Sequence, residues 1–175
     1  MLGKKNRIIL TGFMGTGKTV VGKMLAEKLS YQFLDTDQMV EQEAKKTVME
    51  IFEREGETSF RRREKEMVKK ALQKEKVVIS TGGGAVMDPE NLALFKENGL
   101  LIALSATPEV IYERVRSMKT RPLLKDRDEL QTIKNLLSSR SPFYQKADLI
   151  LDSSGNHLES VVSEIMKALH ENSKS

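Results

Sequence analysis

The 175-residue sequence contains no cysteine and only two histidines, His157 and His170. Without cysteine there are no disulfide bonds and no thiolate metal sites, and two isolated histidines give little basis for zinc chemistry. No apolar run approaches the roughly 18 residues that a membrane-spanning helix needs. A glycine-rich motif begins at residue 12, which leaves little room before it for a removable signal peptide. These absences predict a cytoplasmic protein that does not insert into a membrane.

Neither basic nor acidic residues are in large excess. The sequence has 29 basic and 25 acidic residues, which interleave along the chain and leave a formal net charge of +4. A bias of this size does not require a nucleic-acid partner, and it could equally reflect arginine and lysine gathered around anionic small molecules. We therefore predict no binding to nucleic acid.

What the sequence does have is the segment GFMGTGKT at Gly12–Thr19, which fits the phosphate-binding loop pattern. Glycines allow a tight turn in which successive backbone N–H groups surround an anion at a helix N-terminus. Lys18 would reach the β- and γ-phosphates of a nucleotide, and the Thr19 hydroxyl would bind Mg²⁺. The alternative is a glycine turn that matches by chance. An apolar strand before the motif and a helical stripe after it argue against that alternative.

Apolar runs of strand type alternate with helical patterns along the whole chain. This alternation predicts a parallel sheet of five strands covered by helices on both faces, within a single domain over residues 1–175. The strands are expected at residues 7–10, 32–34, 77–79, 100–104 and 149–151. Ligands bind beyond the carboxyl ends of such strands. The loops that we expect to meet there are residues 12–19, 35–37, 80–84 and 152–156.

Two aspartates follow the second strand, whereas the third strand ends in Ser80-Thr81-Gly82 without a carboxylate. We therefore expect Asp35 to hold Mg²⁺, directly or through water, and Asp37 to accept the proton of a substrate hydroxyl. The alternative is that Asp37 only caps the next helix and that Asp35 is a solvated loop residue.

Several further charged or glycine-rich segments allow two interpretations. Residues 117–128 are basic and aperiodic, which predicts a mobile lid that delivers Arg121 to the transferred phosphate, or else an exposed basic loop. Gly82–Gly84 indicate close approach of a substrate, or a flexible turn. Arg140 could serve a ligand or the C-terminal carbonyls of its helix, which is expected to end near Ser141-Pro142. Spacing alone does not decide the role of Arg61, whereas Arg62 and Arg63 are expected on a solvated face.

Taken in order, these segments resemble shikimate kinase. The resemblance rests on GFMGTGKT, LDTD at 34–37, FRRRE at 60–64, GGG at 82–84, RPLL at 121–124 and Arg140 before SPFY. It implies a three-layer α/β/α fold of the P-loop kinase type, with strand order 2-3-1-4-5 and a lid. It also implies MgATP-dependent phosphorylation of the 3-hydroxyl of shikimate, on the pathway to aromatic amino acids. We expect the chain to be a monomer.

The resemblance also implies a set of site residues. Those for shikimate are Asp37, Arg61, Gly83 and Arg140, with Asp37 as the base. Those for ATP are Gly15, Thr16, Gly17, Lys18, Thr19, Arg114 beside adenine, and Arg121, and those for Mg²⁺ are Thr19 and Asp35. The turn at 152–156 departs from the family pattern because it carries neither Arg nor Pro. Two other functions stay open, namely a related kinase acting on gluconate or a nucleotide, and a kinase-like binding module without catalysis.

Overall fold

The computed structural model describes residues 6–116, 129–155 and 157–173. The strands are β1 (Arg7–Gly12), β2 (Gln32–Asp35), β3 (Val77–Ser80), β4 (Leu100–Ser105) and β5 (Leu149–Asp152). The helices are α1 (Lys18–Leu29), α2 (Thr36–Ala44), α3 (Val48–Glu55), α4 (Glu57–Ala71), α5 (Pro89–Asn98), α6 (Pro108–Val115), α7 (Glu129–Tyr144) and α8 (Leu158–Ser173). A short 3₁₀ helix, Ala85–Met87, lies between β3 and α5. The predicted lid, with Arg121, falls outside the described residues.

The five strands form one parallel sheet in the order β2-β3-β1-β4-β5. Strand β1 is central, because it pairs with β3 on one side and with β4 on the other. This arrangement confirms the predicted five-stranded sheet and its order. Since all the strands are parallel, the loops that follow β1, β2 and β3 meet at one edge of the sheet.

The central strand is apolar because both of its faces are covered. Ile9 packs with apolar side chains from α4, α5, α6 and α7, whereas Ile8 and Leu10 pack with those of α1 and α8. All three side chains are at most 2% exposed, and burial of each one stabilises the fold by about 2 kcal/mol. The alternation therefore accounts for the three-layer α/β/α architecture. Among the helices in the described part of the chain, none is both long and apolar enough to cross a bilayer.

Helices α2, α3 and α4 pack together around a small apolar cluster beside the edge strand β2. Its buried members are Val40, Ile51, Phe60 and Met67. Arg63 of α4 strengthens this unit, since its guanidinium lies 2.9 Å from Glu43 of α2 and 3.1 Å from Glu55 of α3. The expected solvated position is therefore wrong for Arg63, although Arg62 is exposed as expected. Packing of three helices brings these acidic partners to Arg63, and local spacing does not reveal them.

Helix α7 does not end near Ser141-Pro142, contrary to the sequence-based expectation. It continues to Tyr144 with Pro142 inside it, and the Gln145 N–H still donates to the Ser141 carbonyl over 3.0 Å. Proline removes one intrahelical donor, but packing can retain the helix through it. As a result Arg140 and Tyr144 are one helical turn apart, and both are buried.

Candidate active site

A cavity of about 430 Å³ opens at the edge of the sheet where the loops after β1, β2 and β3 meet. The charged side chains that line it are Lys18, Asp35, Asp37, Arg61, Glu64, Arg114 and Arg140. The structure thus brings together all the charged residues that the sequence predicts for the site within the described ranges. Cationic groups outnumber carboxylates on these walls, which favours anionic ligands.

The loop between β1 and α1 has the geometry of an anion-binding turn. Gly15 and Gly17 have φ angles of +75° and +93°, a region that side-chain-bearing residues rarely adopt. The Lys18 ammonium folds back over the loop and donates to the carbonyls of Gly12 (2.7 Å) and Phe13 (3.0 Å). This position places the cation beside the backbone N–H groups at the start of α1, where phosphate oxygens would bind.

Thr16 differs from the rest of this loop. Gly15, Gly17, Lys18 and Thr19 line the cavity, whereas the Thr16 side chain is fully buried and its hydroxyl donates to the Phe13 carbonyl over 2.8 Å. Any contact of Thr16 with a nucleotide would therefore come from its backbone.

Asp35, rather than Asp37, caps helix α2. Helix α2 begins at Thr36, so Asp35 is the residue directly before it. Asp35 Oδ1 accepts the N–H groups of Asp37 (2.9 Å) and Gln38 (3.2 Å) in the first turn. The interpretation of Asp37 as the cap is therefore wrong, and its carboxylate faces the cavity instead.

The second oxygen of Asp35 lies beside the phosphate loop. Asp35 Oδ2 is 3.5 Å from the Thr19 hydroxyl. Carboxylate and hydroxyl oxygens are ligands that Mg²⁺ accepts, and this ion usually retains several waters and phosphate oxygens. The pair therefore fits a magnesium ion held by few protein atoms. No group of three or more potential metal-ligating side chains occurs among the residues that the structure describes.

Gly82 separates two carboxylates. A Cβ atom on Gly82 would lie 2.8 Å from Asp37 Oδ1 and also 2.8 Å from Glu64 Oε2, so the two oxygens are no farther apart than twice that distance. Glu64 is 1% exposed, and burial raises the pKa of its carboxyl to about 7 against the opposing effect of the Arg61 guanidinium. The absence of a side chain at Gly82 lets both carboxylates reach the cavity.

Arg61 is held beside Gly84 by acidic partners on its own helix. Its Nη1 donates to Glu64 over 2.9 Å, and its Nε and Nη2 lie 3.3 Å from Glu57. The guanidinium also packs against the Phe60 ring at 5.3 Å. A Cβ on Gly84 would overlap this guanidinium, since it would lie 2.5 Å from Nη2. A glycine is thus required for Arg61 to approach the loop after β3.

Arg140 approaches the preceding residue of the same loop. A Cβ on Gly83 would be 3.4 Å from Arg140 Nη1, and the guanidinium packs 5.6 Å from the Phe13 ring centroid. The hydroxyl of Tyr144 donates to the Gly83 carbonyl over 2.7 Å, and burial raises its pKa to about 12. Arg61 and Arg140 therefore reach adjacent glycines, so two cations from distant helices face one side of the cavity.

Arg114 connects the phosphate loop to the turn after β5. Its Nη1 donates to the Gly15 carbonyl (3.0 Å), and its Nη2 donates to the carbonyls of Ser153 (2.6 Å) and Gly155 (3.3 Å). These contacts place Arg114 at the nucleotide end of the cavity, on the opposite side of the phosphate loop from β3.

Comparison with known proteins identifies the family to which this site belongs. The family model described as shikimate kinase matches residues 14–170. The chain belongs to the shikimate kinase family. The match includes all the charged lining residues named above.

Individual relatives and solved structures agree with this membership. The chain is 49% identical to shikimate kinase from Pelotomaculum thermopropionicum over 94% of this chain and 95% of the relative. A structure of shikimate kinase from Acinetobacter baumannii in complex with shikimate superposes with a TM-score of 0.91 at 34% identity, covering 95% and 93% of the two chains. The Aquifex aeolicus shikimate kinase superposes with a TM-score of 0.83 at 40% identity, covering 95% and 98%. The three-layer P-loop kinase fold is thus that of the family.

Sequence reasoning did not identify every residue of the site. The sequence-based interpretation gives Glu64 no role, although its spacing of three residues from Arg61 on a helix is a usable signal for an ion pair. Tyr144 had no local signal, because it follows a proline that was expected to end its helix. Gly82 was part of a recognised glycine run, but its place between two carboxylates follows only from the packing of α2 and α4 beside the loop.

Proposed function

We propose that this chain transfers the γ-phosphoryl group of ATP to the 3-hydroxyl of shikimate, yielding ADP and shikimate 3-phosphate on the pathway to aromatic amino acids. One observation carries the proposal: a phosphate-binding loop and two arginines from distant helices line the same cavity. The loop accounts for one anionic substrate, and the arginine pair accounts for a second substrate that carries a carboxylate. The shikimate bound in the Acinetobacter baumannii relative has such a group.

In the proposed reaction Asp37 acts on the acceptor hydroxyl. Its carboxylate accepts a hydrogen bond from the 3-hydroxyl and takes the proton as the hydroxyl oxygen bonds to the γ-phosphorus. The bond from that phosphorus to the β–γ bridging oxygen breaks, and ADP leaves. Asp37 is suited to this role because Asp35 caps the helix in its place.

Arg61 and Arg140 would bind the shikimate carboxylate. Planar guanidinium groups form paired, charge-assisted hydrogen bonds with carboxylates. Glu64 and Tyr144 hold the two arginines near Gly83 and Gly84, so little side-chain ordering remains to be done when substrate binds. Gly83 would contact the substrate through its backbone, at a place where a side chain would approach Arg140.

The nucleotide would bind on the other side of the cavity. Backbone N–H groups of Gly15, Thr16 and Gly17 would surround its phosphates, Lys18 would reach the β- and γ-phosphates, and Arg114 would lie beside the adenine. Thr19 and Asp35 would hold Mg²⁺, which when bound offsets the negative charge of the phosphates. We retain Arg121 as a further phosphate ligand delivered by the lid. This part of the proposal rests on the sequence.

An ADP-release assay with MgATP over a panel of hydroxylated carboxylic acids tests the substrate. We expect turnover with shikimate and little with gluconate or a nucleoside monophosphate, and phosphorus NMR of the product should show the 3-phosphate. Strong activity with gluconate and none with shikimate would reject the assignment. Binding of both substrates without turnover would favour the non-catalytic binding module.

Three further expectations from the sequence stay predictions. Gel filtration with light scattering should give the mass of a monomer, and fractionation of cells should place the chain in the cytoplasm. Affinity for a DNA duplex should be weak at every salt concentration tested.

A further inference from the structure

The turn after β5 contacts the phosphate loop through one buried hydroxyl. Ser153 is 1% exposed, and its Oγ lies 2.6 Å from the carbonyl oxygen of Thr16 and 2.9 Å from that of Ser105. More than a hundred residues separate Ser153 from Thr16, so this contact exists only in the folded chain. Neither the sequence pattern nor the proposed mechanism assigns a role to Ser153.

The geometry indicates which carbonyl receives the hydroxyl proton. A serine hydroxyl has one proton and can donate it to one acceptor at a time. The Ser105 carbonyl already accepts the backbone N–H of Ser153 over 2.7 Å. The Thr16 carbonyl is also the nearer of the two to Oγ. Donation to Thr16 therefore gives each carbonyl a hydrogen bond.

Holding the Thr16 carbonyl has a direct consequence for phosphate binding. The peptide between Thr16 and Gly17 is planar and trans, so its carbonyl and its N–H point in opposite directions. When Ser153 fixes the carbonyl on the outer side of the loop, the Gly17 N–H is directed away from it, and Gly17 lines the cavity. Arg114 holds the Gly15 carbonyl in a similar way. Two successive carbonyls of the loop are thus bound from outside.

We infer that Ser153 is a positioning residue that orients the Thr16–Gly17 peptide of the phosphate loop for binding the nucleotide phosphates. The inference rests on the proposed function only in that the loop binds a nucleotide. Because Gly17 has a φ of +93° and no side chain to restrain it, the peptide would otherwise rotate at low cost. The Ser153 hydroxyl removes that freedom before the ligand arrives.

The test compares Ser153→Ala with Ser154→Ala. Ser154 is the matched control, because its hydroxyl bonds within the same turn to Asp152 (2.6 Å) and accepts from the Thr107 N–H (3.0 Å). The ligands are MgADP and inorganic tripolyphosphate, titrated by calorimetry without shikimate. We expect Ser153→Ala to weaken both by about 3- to 10-fold, the worth of one buried hydrogen bond, and Ser154→Ala to change neither by more than about twofold.

The two ligands distinguish an effect on phosphate binding from an effect on adenine binding, because tripolyphosphate has no adenine. Weaker MgADP binding with unchanged tripolyphosphate binding would overturn the inference, since it would place the effect at the adenine. Unchanged binding of both ligands would also overturn it. In steady-state assays we expect the KM for ATP to rise and the KM for shikimate to stay constant.

A second pair of variants covers the case in which Ser153→Ala does not fold. Ser153→Thr and Ser153→Val have nearly the same shape and differ by the hydroxyl. The threonine variant should bind tripolyphosphate more tightly than the valine variant by about the same 3- to 10-fold, and equal affinities would overturn the inference. A wild-type chain that binds MgADP and tripolyphosphate but does not phosphorylate shikimate would contradict the proposed function alone.

Discussion

The cavity has two walls, a phosphate wall and an acceptor wall, which are built from different numbers of chain segments. The phosphate wall consists mainly of Gly12–Thr19, one continuous segment in which the side chains of Thr16 and Lys18 donate to carbonyls of the same loop. The acceptor wall takes Asp37 from α2, Arg61 from α4, Gly82–Gly84 from the loop after β3, and Arg140 from α7. Arg61 and Arg140 are held by partners on their own helices, but the four elements that carry these groups meet only in the folded chain.

This difference explains what each wall can specify. Backbone N–H groups in a tight loop recognise phosphate in any nucleotide, because every residue supplies the same donor. A pair of arginines beside a carboxylate recognises a particular arrangement of charge, and that arrangement depends on how four elements pack. In the proposed function the acceptor wall would determine the substrate, and it is also the wall that a single substitution should disturb most selectively.

The largest effect is expected from Asp37→Asn, which tests whether the acceptor wall can be changed without changing the phosphate wall. The amide has nearly the same shape but cannot take the hydroxyl proton, so kcat should fall by roughly 10²- to 10⁴-fold. MgADP affinity measured by calorimetry should stay within about twofold of wild type. A comparable loss of MgADP affinity would show that the two walls do not act separately.

Glu64→Gln should change how stability depends on pH. The pKa of Glu64 is raised in the folded chain from its ordinary value of 4.5 to about 7, because burial disfavours the charged form. A carboxyl with a raised pKa supports the fold fully below about pH 4.5, and this support is lost as the pH rises through 7. In urea unfolding, the free energy of unfolding of the wild type should therefore fall by on the order of 3 kcal/mol as the pH rises through this range. Glu64→Gln should not show this fall.

Glu57→Gln is the matched control for that experiment. Glu57 contacts the same guanidinium as Glu64, but its side chain is 66% exposed. Its removal should leave the pH dependence of the wild type in place. Equal pH profiles for wild type and Glu64→Gln would mean that the Glu64 carboxyl is not in a desolvating site.

Smaller effects are expected from Arg140→Ala and Arg61→Ala. Each removes charge-assisted hydrogen bonds to the substrate carboxylate, so the KM for shikimate should rise roughly 10- to 100-fold while the KM for ATP changes little. Arg62→Ala is the matched control, because Arg62 is exposed and adjacent to Arg61 in the sequence. Equal rises in both KM values would assign the arginines to the fold or to closure of the site, and the distinction between the walls would fail.

The sheet and the phosphate loop were predictable because their signals are local. A buried parallel strand needs a short apolar run, and an anion-binding loop needs glycines at fixed spacing before a helix. The third carboxylate of the site shows where such reasoning ends. Glu64 lies in a charged run that reads as solvated, and only the packing of α4 against the loop after β3 buries it.

Two errors in the expected local structure have the same cause. Asp35 caps α2 where Asp37 was expected, since either carboxylate could accept the first free N–H groups of the helix. The end of α7 depends on whether packing retains a helix across Pro142, and the buried Tyr144 shows that it does. In both cases several local conformations are close in energy, and contacts with other elements select one.

Spacing leaves the roles of Arg61 and Arg140 open, but residue types and spacing alone predict an α/β sheet and a phosphate loop. Those properties depend on backbone geometry and on periodicities shorter than one helix. Three arrangements arise only when distant elements pack: Arg61 and Arg140 reach adjacent glycines, Asp37 and Glu64 lie beside Gly82, and Ser153 contacts Thr16. They join residues whose separation in sequence carries no local signal, so folding of the whole chain decides them.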